Sequence, residues 1–168
     1  MNILITGFAP FGGETINPSY EAVRLLPDEI AGHTIKKQEL PVTFQGAPVL
    51  LAEKVRAIRP DVLISVGQAG GRPDITPERV AINLMDARIP DNDGFSPVDI
   101  PVEKDGETAY FTTLPVKKMV EAMKEAGISA GLSYSAGSYV CNTVMYAGLY
   151  LAAREFPGMR AGFIHVPF

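Results

Sequence analysis

Cysteine is nearly absent from this chain: Cys141 is the only one among 168 residues. No internal disulfide can form, and a lone thiol fits a reducing cytoplasm. Histidine is almost as scarce, with only His33 and His165. Two distant histidines and one cysteine lack the spacing of a zinc site, so no metal is expected. Basic residues number 15 against 19 acidic ones, a net charge of −4, and they form no cluster. That balance argues against nucleic acid or an anionic membrane as partner. The longest apolar stretch, 140–153, is interrupted by Asn142 and Thr143 and is too short to span a bilayer. The opening Met1-Asn2-Ile3-Leu4-Ile5-Thr6-Gly7 has no basic leader and reads as a strand, so no secretory signal is expected. Repeats, low-complexity tracts and linkers are missing too, and residues 1–168 are expected to form one domain. At 46% hydrophobic and 20% charged residues, that domain can bury a substantial core.

What is present is an alternation of apolar, β-rich runs with helical patterns. Strands are expected over 2–6, 34–40, 61–66, 79–84, 130–135 and 161–166. Helices are expected over 18–26, 47–58, 116–126 and 139–155, the first opened by an Asn17 cap with Pro18 behind it. Residues 90–97, with Pro, Asp-Asn-Asp-Gly and Pro, carry turn chemistry suited to an exposed excursion or hairpin. Such alternation gives an α/β fold whose mostly parallel sheet has helices on both faces.

In open sheets of this kind ligands gather where strands end and helices begin. Three such ends carry unusual residues: 7–13, 67–71 and 135–141. Cys141 follows a glycine-containing turn at the start of an apolar helix, where the helix dipole and unpaired amides favour thiolate. The competing reading is a small buried hydrophobe. His165, at the end of the last strand, can act as the thiol's base or sit as a satisfied core histidine. His33, beside a charged strand, reads as surface. Glu78, Asp86, Asp61 and Asp74 are candidates to orient an imidazole. Glu78 stands out by following a glycine-rich loop at a sheet end, though chemistry alone leaves that choice open. The 67–71 loop lacks the third spaced glycine and the apolar helix of a dinucleotide fingerprint, and no P-loop lysine follows it. Phe8 and Phe11 either cap the core or form an apolar wall for a small, flat, uncharged group.

Two long segments carry a resemblance. One is Gly67-Gln68-Ala69-Gly70-Gly71-Arg72-Pro73-Asp74-Ile75-Thr76-Pro77-Glu78-Arg79-Val80-Ala81-Ile82-Asn83. The other is Ser133-Tyr134-Ser135-Ala136-Gly137-Ser138-Tyr139-Val140-Cys141-Asn142. With support from 6–13, 87–92 and 162–167, the chain resembles type I pyroglutamyl peptidases, a cysteine peptidase family. The resemblance implies a three-layer α/β/α sandwich that removes an N-terminal pyroglutamyl residue from peptides, in the cytoplasm and without metal or cofactor. It implies Cys141 as nucleophile, His165 as base and acid, and Glu78 as orienting carboxylate. Phe8, Phe11, Gln68, Tyr139 and Val140 match positions around the pyroglutamyl ring, and Arg88 matches a supporting arginine. The family often has Phe where Tyr139 stands. A homotetramer is the assembly implied. Members continue for some tens of residues past the histidine motif, whereas this chain stops at Phe168, so the family's C-terminal helix is expected to be lacking and an apolar face to be open. The readings opposed to this one are a non-catalytic α/β module that binds a small ligand and an inactive family member.

Overall fold

The β-branched and leucine-rich runs near both termini form strands that lie side by side, and the amphipathic segments between them fold back as helices. A computed structural model describes residues 1–168. In chain order its elements are β1 (Asn2–Phe8), α1 (Pro18–Arg24), β2 (Glu29–Ile30), β3 (His33–Leu40), α2 (Gly46–Ile58) and β4 (Val62–Gln68). They continue as β5 (Thr76–Pro77), β6 (Val80–Ile82), β7 (Ala109–Phe111), α3 (Val116–Glu125), α4 (Val140–Arg154) and β8 (Arg160–Val166).

Six strands form one sheet in the order β2-β3-β1-β4-β8-β5. The four central strands are parallel, and short antiparallel strands close both edges. Alternation along β1 divides the core. Leu4 and Phe8 join Leu40, Leu51, Leu63, Val144 and Phe163 under α2 and α4. Ile5 joins Val23, Ile35 and Val66 under α1, and α3 covers the same face lower down through Val116 and Met119 against Val62. Period-2 side chains buried on both sides are what a helix-covered parallel sheet requires. Three layers, α/β/α, result as expected.

The helix signals behave as read. The Asn17 side chain accepts from the Ser19 amide with Pro18 in the first turn, and Arg59 ends α2 in the left-handed conformation just before Pro60. Gly7 is required where α1 crosses β1, because a Cβ there would lie 2.6 Å from the Tyr20 Cα.

Three expectations are corrected. Residues 130–135 form no strand; their only β-pairing is two isolated bridges, Ile75 to Ala130 and Glu78 to Ser133. The strand over 79–84 contracts to β6, which leaves the main sheet and pairs with β7. Residues 90–97 are no free excursion. Asp91 is buried, and its carboxylate accepts from the amides of Phe44, Asp93 and Phe95 at 2.8–3.0 Å. A turn-forming aspartate finds those amides locally and pins the loop against the entry to α2.

Candidate active site

Three neighbouring strands set the site by register. In the β4–β8 ladder Gly67 stands opposite His165, and on the other side of β8 Thr76 stands opposite His165. Phe163 and His165 alternate onto the face that α4 covers, and their rings lie 4.9 Å apart. Gly67 matters because a Cβ there would come within 2.9 Å of the Cys141 sulfur and 2.6 Å of the Phe163 ring. The missing side chain is the space the sulfur occupies, beside the strand position paired with His165. Glu78 follows β5, its amide bonded to the Phe163 carbonyl at 2.9 Å, which puts the carboxylate beside the imidazole. The thiol thus meets the sheet at Gly67, the strand position paired with His165, whose imidazole the Glu78 carboxylate holds.

The imidazole and carboxylate are withdrawn from water: His165 is 4% exposed and Glu78 0%. His165 Nδ1 lies 2.7 Å from Glu78 Oε1. With the carboxylate as acceptor, Nδ1 carries the proton and Nε2 is left as the basic nitrogen. The same Oε1 accepts from Arg72 at 2.7 Å, while Oε2 is buried with no partner. Burial pushes the Glu78 carboxyl up, but its hydrogen bonds with His165 and Arg72, helped by the nearness of the Ser133 hydroxyl, outweigh that and hold the group below its ordinary value. Glu78 is an anion at neutral pH.

Cys141 is the second residue of α4, as expected from the sequence. The expected stabilisation of thiolate is corrected. Burial pushes the thiol up to about 12, the Glu78 charge pushes it the same way, and Arg72 pulls it down only in part. The helix start favours an anion, yet a sulfur desolvated beneath Gly67 and Phe163 loses more hydration than the amides return. Burial therefore favours the thiol over the thiolate. The amides of Val140, Cys141 and Asn142 have no acceptor within the chain; the first internal bond of α4 is from Thr143 to the Tyr139 carbonyl at 3.2 Å. Asn142 fixes this helix start. Its side chain accepts from the Ile82 amide and donates to the Ile82 and Leu84 carbonyls at 2.9–3.0 Å.

A cavity of about 210 Å³ opens onto the sulfur, lined by Phe8, Phe11, Asn17, Val42, Gln68, Gly70, Tyr139, Val140 and Cys141. It lies at the C-terminal ends of β1 and β4, where the strand order changes direction. Phe8, Phe11, Gln68, Tyr139 and Val140, singled out from the sequence, all meet here. Tyr139 packs against Phe11 at 5.6 Å and edge-on to Phe44 at 5.0 Å, and its hydroxyl donates to the Pro90 carbonyl at 3.0 Å. Arg88 lies elsewhere. It is exposed in a wider cleft of about 780 Å³ with Asp86, Ile89, Gly137, Ser138 and Tyr139, and makes no ion pair. His33 sits at the opposite end of the sheet. Sequence reasoning missed Val42, and it gave Arg72, Asn142 and Gly70 no role of their own although each lies in a segment it singled out. Asn17 was read only as a helix cap, although it also lines the cavity.

A thiol at the strand position paired with an imidazole that a buried carboxylate holds, at the mouth of a small apolar cavity, is the equipment of a cysteine hydrolase. This chain belongs to the pyroglutamyl peptidase family, whose sequence pattern matches residues 1–168. It is 54% identical over all 168 residues to a pyrrolidone-carboxylate peptidase of Clostridium perfringens, covering 79% of that protein. It is 56% identical to one of Thermococcus onnurineus, covering 84% of it. Among solved structures, pyroglutamyl peptidase I of Bacillus amyloliquefaciens superposes with a TM-score of 0.96 at 48% identity, over 99% of this chain and 82% of that one. A mutant pyrrolidone carboxyl peptidase of Pyrococcus furiosus gives 0.97 at 44% identity, over 100% and 81%.

Proposed function

We propose that residues 1–168 act as one peptidase domain, hydrolysing the bond after an N-terminal pyroglutamyl residue through Cys141, His165 and Glu78. The observation that carries this reading is the 2.7 Å bond between Glu78 and a 4% exposed His165, on the strand face where the lone thiol sits. Pyroglutamate is a neutral lactam without a free amine. Phe8, Phe11, Tyr139 and Val140 supply apolar walls for its ring. The Gln68 carboxamide, which bonds to nothing else in the chain, is available to the lactam. Apolar fit discriminates only about 10–200-fold per methylene, so that amide contact provides the sharper selection.

Because burial favours the thiol, proton transfer accompanies attack. His165 Nε2 takes the sulfur's proton as the sulfur adds to the pyroglutamyl carbonyl, and Glu78 stabilises the imidazolium. The oxyanion meets the free amides at the start of α4. Collapse breaks the C–N bond, with His165 returning the proton to the departing amine. Water, deprotonated by His165, then cleaves the thioester and restores the thiol. Arg88 has a supporting role at the rim of the wider cleft. No cofactor or metal enters these steps. A single reduced thiol suits a cytoplasmic location, and a homotetramer is the assembly that family resemblance supports.

The test is hydrolysis of a fluorogenic pyroglutamyl amide by the chain and by Cys141→Ser, with the prolyl amide as control. Release from the pyroglutamyl compound alone, lost on substitution, is expected. Equal release from both amides, or release that survives Cys141→Ser, contradicts the reading.

A further inference from the structure

We propose that Arg72 is a positioning residue of this site, a strut that ties the Glu78 carboxylate to the turn delivering Cys141 so that acid and nucleophile keep one relative geometry. Its guanidinium reaches three acceptors on two segments, residues 76–78 and the turn at Ser135. One nitrogen donates to the Thr76 hydroxyl at 2.8 Å and to Glu78 Oε1 at 2.7 Å; the other donates to the Ser135 carbonyl at 3.0 Å. Ser135 begins the turn that ends in α4, six residues before the thiol. No other arginine or lysine pairs with Glu78.

The state of the carboxylate shows why a strut is needed. Both its strong bonds fall on Oε1, and Oε2 is buried unpartnered. An unsatisfied buried oxygen favours rotation or displacement toward any donor, and such strain persists only where surroundings over-determine the group. The Ser133 hydroxyl is beside it, yet its bond goes to the Ser135 carbonyl at 3.3 Å. Arg72 supplies the opposing constraint, since a planar fork held at Thr76 and Ser135 aims the shared Oε1 at His165 and leaves Oε2 facing the interior. Lysine keeps the charge without the fork and cannot span both Glu78 and Ser135. Arg72 does not line the substrate cavity, so it acts on the reaction through Glu78 and the turn.

This inference rests on the function proposed above. It is tested by steady-state hydrolysis of the pyroglutamyl amide with Arg72→Ala and Arg72→Lys, each made in the natural chain and in Glu78→Gln. Arg72→Ala is expected to lower kcat by about 100-fold, the scale of an ångström-level misplacement, with KM within about threefold because the cavity is untouched. Arg72→Lys recovers part of that loss. In Glu78→Gln the second substitution is expected to add almost nothing. Unchanged kcat in Arg72→Ala, a loss confined to KM, or full multiplication of the losses in the double variant would overturn the proposal. Should Arg72→Ala not fold, Arg72→Lys carries the same cycle, and the same results support or overturn the strut. A readout independent of turnover is the downfield proton resonance of His165 Nδ1–H. It is expected to shift and exchange faster in either variant, and an unchanged signal contradicts the strut. Cys141→Ser run alongside separates the failures: turnover surviving there removes the nucleophile, whereas its loss there with Arg72→Ala at full rate removes only the role of Arg72.

Discussion

Each end of the parallel strands carries a histidine and a carboxylate, in opposite surroundings. Where β1 and β3 begin, His33 lies 3.4 Å from the chain's amino group and Asp61 accepts from the Asn2 amide at 2.7 Å, both in contact with water. Where β4 and β8 end, His165 and Glu78 make a bond of the same 2.7 Å length away from water. Similar side chains differ in what solvent leaves to them. At the first end water screens the charges and competes for every hydrogen bond. At the second, the carboxylate fixes one tautomer of the imidazole, and the bond gains strength from a low local dielectric. Reactive geometry in this fold therefore belongs to the strand ends roofed by α4.

The largest expected effect is the one that would break this contrast. His165→Ala is expected to lower kcat/KM on a pyroglutamyl amide by on the order of 10⁴-fold or more, while His33→Ala stays within about twofold. Comparable losses from the two would erase the distinction.

A second contrast concerns stability. Asn142→Ala leaves the part-buried Ile82 amide and Leu84 carbonyl without partners and strips one of two bonds from the Ile82 carbonyl, and about 2–4 kcal/mol of stability is expected to go. At this chain length that is a fall in Tm of roughly 4–16 °C by calorimetry. Asp61→Ala removes one exposed bond and is expected to cost about 0.5 kcal/mol or less. Equal shifts in Tm would contradict the burial argument.

The acid limb of stability sharpens the comparison further. The Glu78 carboxyl titrates below its ordinary value of 4.5, so its folded-state value is the depressed one. Its contribution is therefore complete above about pH 4.5 and is lost as pH falls through the lower, folded value. Denaturant unfolding of Glu78→Gln against the natural chain is expected to show a difference that shrinks toward acid pH. A difference that grows toward acid pH would reverse the sign and the assignment.

The smallest effect is expected at Tyr139. Tyr139→Phe removes the half-exposed bond to Pro90 and keeps both aromatic contacts, so KM is expected to rise by no more than about fivefold, about 1 kcal/mol. A larger loss would mean that this hydroxyl touches the substrate.

The parts of this arrangement differ in how legible they are in the sequence. The order of layers, the Asn17 cap, the place of Cys141 in the first turn of α4 and the strand-end place of His165 follow from periodicity and capping, which are local. Gln68 and the aromatic wall are legible through the resemblance, and all fall in one cavity. The two-residue β5 is invisible because Thr76 and Pro77 carry no alternation; it exists only because β8 lies beside it. Residues 130–135 have strand-like composition but find no continuous partner, and pairing rather than propensity decides. Arg72 hides after a glycine loop, since nothing local shows that it joins residues 76–78 to the distant Ser135. The thiol's raised pKa is hidden for the same reason: the helix start is local, whereas the desolvating ring of Phe163 and the charge of Glu78 arrive through the fold.

The central claim is that Cys141 carries the pyroglutamyl group during turnover. Acid-quenched intact-mass spectrometry of the chain mixed with an activated pyroglutamyl ester, followed by peptide mapping, tests it most directly. One pyroglutamyl group on the peptide containing Cys141, absent in Cys141→Ala and depleted in His165→Ala, is the result predicted. Turnover without any adduct on Cys141, or an adduct on another residue that forms and decays at the turnover rate, would contradict the account.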